Sequence, residues 1–295
     1  MDKMLRDKRI IVLFVLPCLL VFALIIPIPL CMAFGLSFTK WNLIGDMRLV
    51  GLKNYIRLFT ADAIFRRSIG NTVAYLGYSI LMQLPLAYIL ALMLSGHRRL
   101  DKFFQNTFYV PVALSASAVS MMFYFVYHAD IGVLNGFIRL FVHDFHWAWL
   151  AEESTAMIAV CVKVAWQFVG YHMVLYIAGI TSISSDLYEA ARVDGANAVQ
   201  TAWYITTPLM KPMFRVSLIL ITTSSLKSFD SVYVMTGGGP MHATEVMASW
   251  MYSQAFHGMK YGYGAAIGVV LFMLCVVASL LEGRLLRSDE GVVES

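Results

Sequence analysis

The sequence predicts an all-α membrane protein with six transmembrane helices. Three observations carry that prediction. Of its 295 residues, 59% are hydrophobic and only 14% charged, against about 45–50% and about 25% in an ordinary soluble domain. Six stretches reach or approach the roughly 20 apolar residues that cross a bilayer core about 30 Å thick. The segments between them are too short to hold a core of their own. Composition alone therefore excludes a conventional soluble enzyme, a disordered chain and a nucleic-acid binder. A net charge of +4 offers nothing to an acidic polymer.

The expected spans are 10–36, 69–94, 103–127, 155–180, 213–235 and 264–286, one transmembrane domain over 10–286 between short tails at 1–9 and 287–295. The first follows a basic start, as a signal peptide would. Its 27 residues exceed the 7–15 of a signal core, and no A-x-A cleavage site follows, so it reads as a retained helix. An even number of spans puts both termini on one side. Lys and Arg in the connecting segments and at the span ends number twelve on that side against eight on the other, which makes both termini cytoplasmic. Loop 37–68 dissents with six of the eight. Its 54–68 portion reads as a helix lying at the outer interface, with Ile56, Phe59, Ile64 and Phe65 toward lipid. Cys18, Cys31, Cys161 and Cys275 all lie in apolar stretches without a CxxC pair, which supports neither a disulfide framework nor a zinc site.

Several chemistries have no residues to carry them. The chain has no Gly-Lys dipeptide, so no phosphate-binding Walker loop can form, and no HExxH or GxSxG. No Asp/Glu/His cluster stands at metal spacing inside a span. Uphill work would draw on an ion gradient or on a partner.

The segment 184–212 is the most informative. Asp186 followed by Glu189 gives a capping-box pattern. Leu187–Val193 is good helix material, and Gly195 can end the helix in the left-handed region. Residues 196–205 can form a second helix, halted by Pro208. The expectation is a cytoplasmic helix–turn–helix whose small residues Ala190, Ala191, Gly195 and Ala196 admit a close partner.

Those residues resemble the EAA loop of ABC importer permeases. Glu189, Ala190, Ala191, Gly195, Ile205 and Pro208 match the pattern, and Asp194 and Pro212 match its sugar-importer variant. Thr207 departs from it, standing where Leu is usual. Other segments match in order: Gly51–Tyr55, Asn71-Thr72, Pro111, the run Phe229–Pro240 with its Thr-Gly-Gly-Gly-Pro, then Thr244, Ala255-Phe256 and 262–266. Together they resemble the maltose-type carbohydrate permeases over most of the chain.

The resemblance implies a type I importer permease fold and a non-catalytic subunit. It implies partners: a second related permease, two ATPase subunits that bind the ATP and Mg, an extracytoplasmic solute-binding protein and a carbohydrate, within membrane lipid. Glu189, Ala190, Ala191, Asp194, Gly195, Ile205 and Pro208 would form the coupling helix that docks on the ATPase. The rival is a self-contained ion-coupled transporter, which predicts interrupted spans carrying carboxylates.

Charge inside a span is expensive and marks either a path or a structural pair. Lys227 and Asp230 stand three residues apart in the fifth span and would share a helix face, within a polar run that includes Ser224. Lys227 would lie about 21 Å along that helix. Lys163 in the fourth span would snorkel toward the interface. Near it stand Trp166, Gln167, Tyr171 and His172, which suit either a sugar's C–H faces and hydroxyls or helix–helix contacts. The small residues of 115–120, and Gly264 with Gly268, suit close helix packing. Gly237–Pro240 makes a turn.

Overall fold

The computed structural model describes residues 8–96 and 99–287. The expected tails fall largely outside the described residues, as do Lys3, Arg6 and Arg98 of the charge count. The helices run α1 (Lys8–Ile25), α2 (Pro27–Ser37), α3 (Lys53–Thr60), α4 (Ala63–Leu94), α5 (Arg99–Tyr109) and α6 (Ala116–Val126). There follow α7 (Val133–Arg139), α8 (Glu153–Thr181), α9 (Ser185–Val193), α10 (Ala198–Thr201), α11 (Thr207–Leu209) and α12 (Lys211–Leu226). The last are α13 (Asp230–Thr236), α14 (Met247–Tyr252) and α15 (Tyr261–Arg287). One antiparallel pair, β1 (Thr39–Lys40) with β2 (Arg48–Leu49), sits between α2 and α3.

Among the described residues, four helical stretches are long and apolar enough to cross a membrane: Phe14–Ser37, Ala63–Leu94, Glu153–Thr181 and Tyr261–Arg284. Two of the six expected spans are broken. The third bends by 100° between Leu100–Ala113 and Ala116–Val126. Pro111 has no N–H to give, so the chain tightens into a 3₁₀ turn at Val110–Ala113 and then extends through Leu114 and Ser115. The fifth stops at Leu226, and a new helix starts at Asp230. Small hydroxyl residues fill that stretch, and Ser224 Oγ bonds back to the Ile221 carbonyl at 3.0 Å. Such bonds compete with a continuous helix. Lys227 and Asp230 therefore do not share a helix face, and among the described residues no ion pair joins them.

The chain forms two compact units. The first holds the chain up to Ala63 together with Trp250–Phe272. Asn54 fastens the β1 strand, donating to the carbonyls of Ser37 (2.8 Å) and Thr39 (2.9 Å). Tyr55 donates to Ser37 Oγ at 2.6 Å, and Gly51 turns at φ +60°. Asp62 accepts from Trp250 Nε1 (3.1 Å) and the Tyr263 hydroxyl (2.6 Å). Gly264 and Gly268 face Ala255 and Met251, where a Cβ would crowd them, so the small residues do serve close packing. The interfacial helix expected at 54–68 is not one helix. Its chain breaks after Thr60, and Phe65, expected toward lipid, is fully buried on α4, while Ile56 and Phe59 are exposed. The helical turn of α3 also directs Leu58 inward, where it is fully buried.

The second unit, Ile64–Ser249 with the chain from Met273, is organised on α8. This helix packs Met157, Val160 and Val164 against Tyr75, Val232 and Met235, and Val169, Met173 and Tyr176 against Ala87, Ala91 and Met210. Its polar residues serve the two breaks. Gln167 Nε2 donates to the Leu114 carbonyl at 3.1 Å. Lys163, expected to snorkel outward, is fully buried. Its Nζ donates to the Ala116 carbonyl (3.2 Å) and to Ser231 Oγ (3.1 Å). The broken backbone offers it better partners than the distant interface does. Gly170, one further turn along, stands against the Phe108 carbonyl, where a Cβ would collide.

Segment 236–247 is pinned to α4. Gly237 and Gly238 take left-handed conformations, and Gly239–Pro240 is cis. Glu245 is buried beneath them, accepting from Ser249 Oγ (2.6 Å) and pairing with His242 Nδ1 (2.9 Å). Asn71 Nδ2 donates to the carbonyls of His242 (3.1 Å) and Glu245 (2.9 Å). Arg67 donates to the Met241 carbonyl and pairs with Glu153, both at 2.8 Å.

Two outcomes follow from this packing. Gly170→Ala should destabilise the protein by about 1–3 kcal/mol, the usual size of overpacking. A lower Tm in detergent would show it, with Gly136→Ala as the control because no atom stands within 4 Å of a Cβ there. Asn71→Leu should speed amide exchange across 238–247 and leave α8 unchanged. Unchanged exchange across 238–247 would mean that the loop does not depend on this amide.

Candidate functional site

A cavity of about 420 Å³ lies in the second unit where the breaks meet. α4 contributes Tyr75 and Gln83 to its wall, and α8 contributes Phe168, Tyr171 and His172. The end of α12 and the break contribute Ser224, Ser225, Lys227, Ser228 and Asp230. Lys227 caps the C-terminus of α12 and Asp230 opens α13, so each charge stands at the helix end whose dipole favours it. Each charge thus has a local source of stabilisation although no ion pair joins the two among the described residues. Asp230 Oδ1 accepts a long bond from Ser117 Oγ at 3.4 Å. The Ser228 hydroxyl donates to the buried Tyr75 hydroxyl at 2.8 Å.

Of the residues singled out from sequence, Ser224, Lys227, Asp230, Tyr171 and His172 line this cavity. His172 is buried with Nδ1 3.1 Å from Ser217 Oγ. Trp166 and Gln167 do not line it. Trp166 is exposed and stacks obliquely on Phe123 at 5.2 Å. Gln167 is spent on the Leu114 carbonyl, with its own Oε1 unsatisfied among the described residues. Sequence reasoning missed Gln83 and Tyr75. The signal for Gln83 was present, a lone amide in an otherwise apolar run; Tyr75 carried none, since a tyrosine in a span is ordinary.

The second candidate site is the segment 184–212. Its first helix is capped by Ser184, whose Oγ accepts from the Asp186 N–H at 3.3 Å. The expected capping box at Asp186 and Glu189 does not form, because Ser184 takes the cap two residues earlier and leaves Glu189 inside the helix, exposed beside Ala190. Ala191 is buried, Asp194 caps the end and Gly195 turns at φ +79°. The capping box lies instead at Asn197 and Gln200, with both reciprocal bonds at 2.9 Å. Its spacing was legible in the sequence. The second helix is not halted by Pro208. A π turn at Ala202–Thr206, which holds Ile205, widens the coil. Pro208 then falls in the first positions of α11, where a missing N–H costs nothing. The two arms meet where the Tyr188 hydroxyl approaches Thr206 Oγ1 at 3.3 Å.

Residues 83–288 match the family described as the binding-protein-dependent transport system inner membrane component. A probable ABC transporter permease protein of Bacillus subtilis (strain 168), YurN, is 36% identical over 97% of this chain and 98% of its own length. The multiple sugar-binding transport system permease protein MsmF of Streptococcus mutans is 31% identical, over 86% of this chain and 87% of its own. Among solved structures, a chain of a bacterial alginate ABC transporter in complex with an alginate pentasaccharide-bound periplasmic protein superposes with a TM-score of 0.83 at 24% identity, over 97% of this chain and 96% of that one. That likeness is one of fold. The chain belongs to the inner-membrane components of binding-protein-dependent transport systems, and is a multi-pass membrane permease of the ABC importer type.

Proposed function

We propose that this chain forms half of the translocation path of an ATP-driven importer for a sugar or oligosaccharide. One observation carries the reading: the cavity is walled by the interruptions of two apolar spans. Irregular backbone at membrane depth is tolerated only where protein buries it or where it lines a cavity. Hydroxyls, amides and aromatic faces suit a carbohydrate, and the likeness to a sugar-transport permease supports that class. Ser224, Lys227, Asp230 and His172 are the lining residues we assign to the path. Residues 10–286 act as one permease domain of six membrane crossings, two of them broken, with both termini cytoplasmic.

The partners follow from the family reading: a second permease or another copy of this chain, two ATPase subunits and an extracytoplasmic solute-binding protein. ATP and Mg belong to the ATPases, and this chain performs no covalent chemistry. The segment 184–212 is the coupling element. Glu189, Ala190, Ala191, Asp194, Gly195, Ile205 and Pro208 dock on the ATPase, and exposed Val193, Val199, Trp203 and Tyr204 give that contact its apolar area.

An ion-coupled transporter working alone gains one point from the break that carries Asp230; family membership favours the ATP-driven reading. Purification from native membranes tests it. The complex should contain an ATPase, and Glu189→Lys or Gly195→Pro should remove both that subunit and uptake. Survival of both in both variants would end the coupling assignment.

A further inference from the structure

Thr207 is the position at which the segment 184–212 departs from the pattern it otherwise matches, and the structure shows what its hydroxyl does. Thr207 Oγ1 donates to the Ala202 carbonyl at 2.8 Å, across the π turn. Its single proton is thereby committed. The Tyr88 hydroxyl stands 2.8 Å from the same oxygen and must therefore be the donor of that bond. Tyr88 belongs to α4, near the end of a span, and 119 residues separate it from Thr207. Around the bond, the Tyr88 ring meets Phe214 edge-on at 4.9 Å and Tyr176 at 6.1 Å. On the other side, Met210 and Met213 fill the hollow left by Gly179 of α8. A leucine at 207 would give apolar contact alone, whereas threonine adds one directed bond between this segment and α4.

We propose that Tyr88 and Thr207 form a polar latch through which the 184–212 segment moves α4. The two are positioning residues rather than part of the path or of the ATPase contact. A hydrogen bond between two half-buried hydroxyls fixes one relative position of the π turn and α4, where an apolar contact alone would let them slide. α4 carries Tyr75 and Gln83 in the cavity wall, so motion delivered at Tyr88 reaches the cavity along this one helix, past Pro85, which lies between Tyr88 and Gln83. The proposal rests on the coupling reading of that segment.

The test uses the whole complex with its ATPase subunits in membrane vesicles, with ATP and vanadate as the only ligands. The native cysteines are replaced, and a cysteine at Leu220, in the cavity wall, reports opening through its rate of labelling by an impermeant maleimide. Tyr88→Phe and Thr207→Val should each cut the ATP-driven change in that rate about fivefold, the weight of one net hydrogen bond, with the ATPase subunits retained. The double variant should be no worse than the poorer single, because both remove the same bond. Tyr88→Phe combined with Thr207→Leu should stay as low as the singles, because apolar contact without the directed bond leaves the π turn free to slide against α4. An unchanged response in both singles, losses that multiply in the double, or loss of the ATPase subunits would each overturn the latch. A complex with neither variant that binds ATP without any change in labelling would sink the coupling reading, and the latch with it.

Discussion

A membrane span can be broken only if the backbone groups freed by the break find partners inside the protein. That constraint governs the second unit. α8 meets it with two side chains one helical turn apart, Lys163 and Gln167, which donate to the carbonyls of Ala116 and Leu114 at the bend before α6. Lys163 also reaches Ser231 at the start of α13, so one buried ammonium holds the edges of both breaks. Gly170 continues the same stripe and lets the α5 end approach α8 at backbone distance.

The cavity is a consequence. Where α12 stops and α13 begins, the chain cannot fill the space with a continuous helix, and its hydroxyls turn toward the opening. Lys227 and Asp230 stand there because each terminates a helix of suitable polarity, not because they neutralise one another. Below, Gly179 admits Met210 and Met213 against α8, while Tyr88 bonds to Thr207. The cavity wall and the 184–212 segment are thus built on the same two helices, α4 and α8.

Much of this was legible in the sequence, and the misses have physical causes. Long apolar runs announce themselves through length, so four of the expected spans coincide with helices long and apolar enough to cross a membrane. Breaks do not, because hydropathy averages over them; Pro111 and the hydroxyl run 222–231 were visible, but only the folded chain shows that neighbours satisfy the freed backbone. Lys163 was misread for a related reason. Snorkelling is the default for a lone cation in lipid, and the carbonyl that captures it is 47 residues away in sequence. Gly195 and its turn were read correctly from local rules. The cap was not, since Ser184 and Asp186 are equally good candidates and the extended backbone of Ser184 decides between them. The cavity lining was half legible: charged and polar residues near the break stood out, while Trp166 and Gln167 of α8 were assigned by chemistry without regard to which face of the helix they occupy.

The central claim is that this chain moves its cargo with energy supplied by a partner ATPase. The most direct measurement is uptake of labelled oligosaccharides into liposomes that contain either the chain alone or the chain with its ATPase, second permease and binding protein. Accumulation should require the full set with ATP on the ATPase side, and should be absent for the chain alone under a proton or sodium gradient. Gradient-driven uptake by the chain alone would contradict the account.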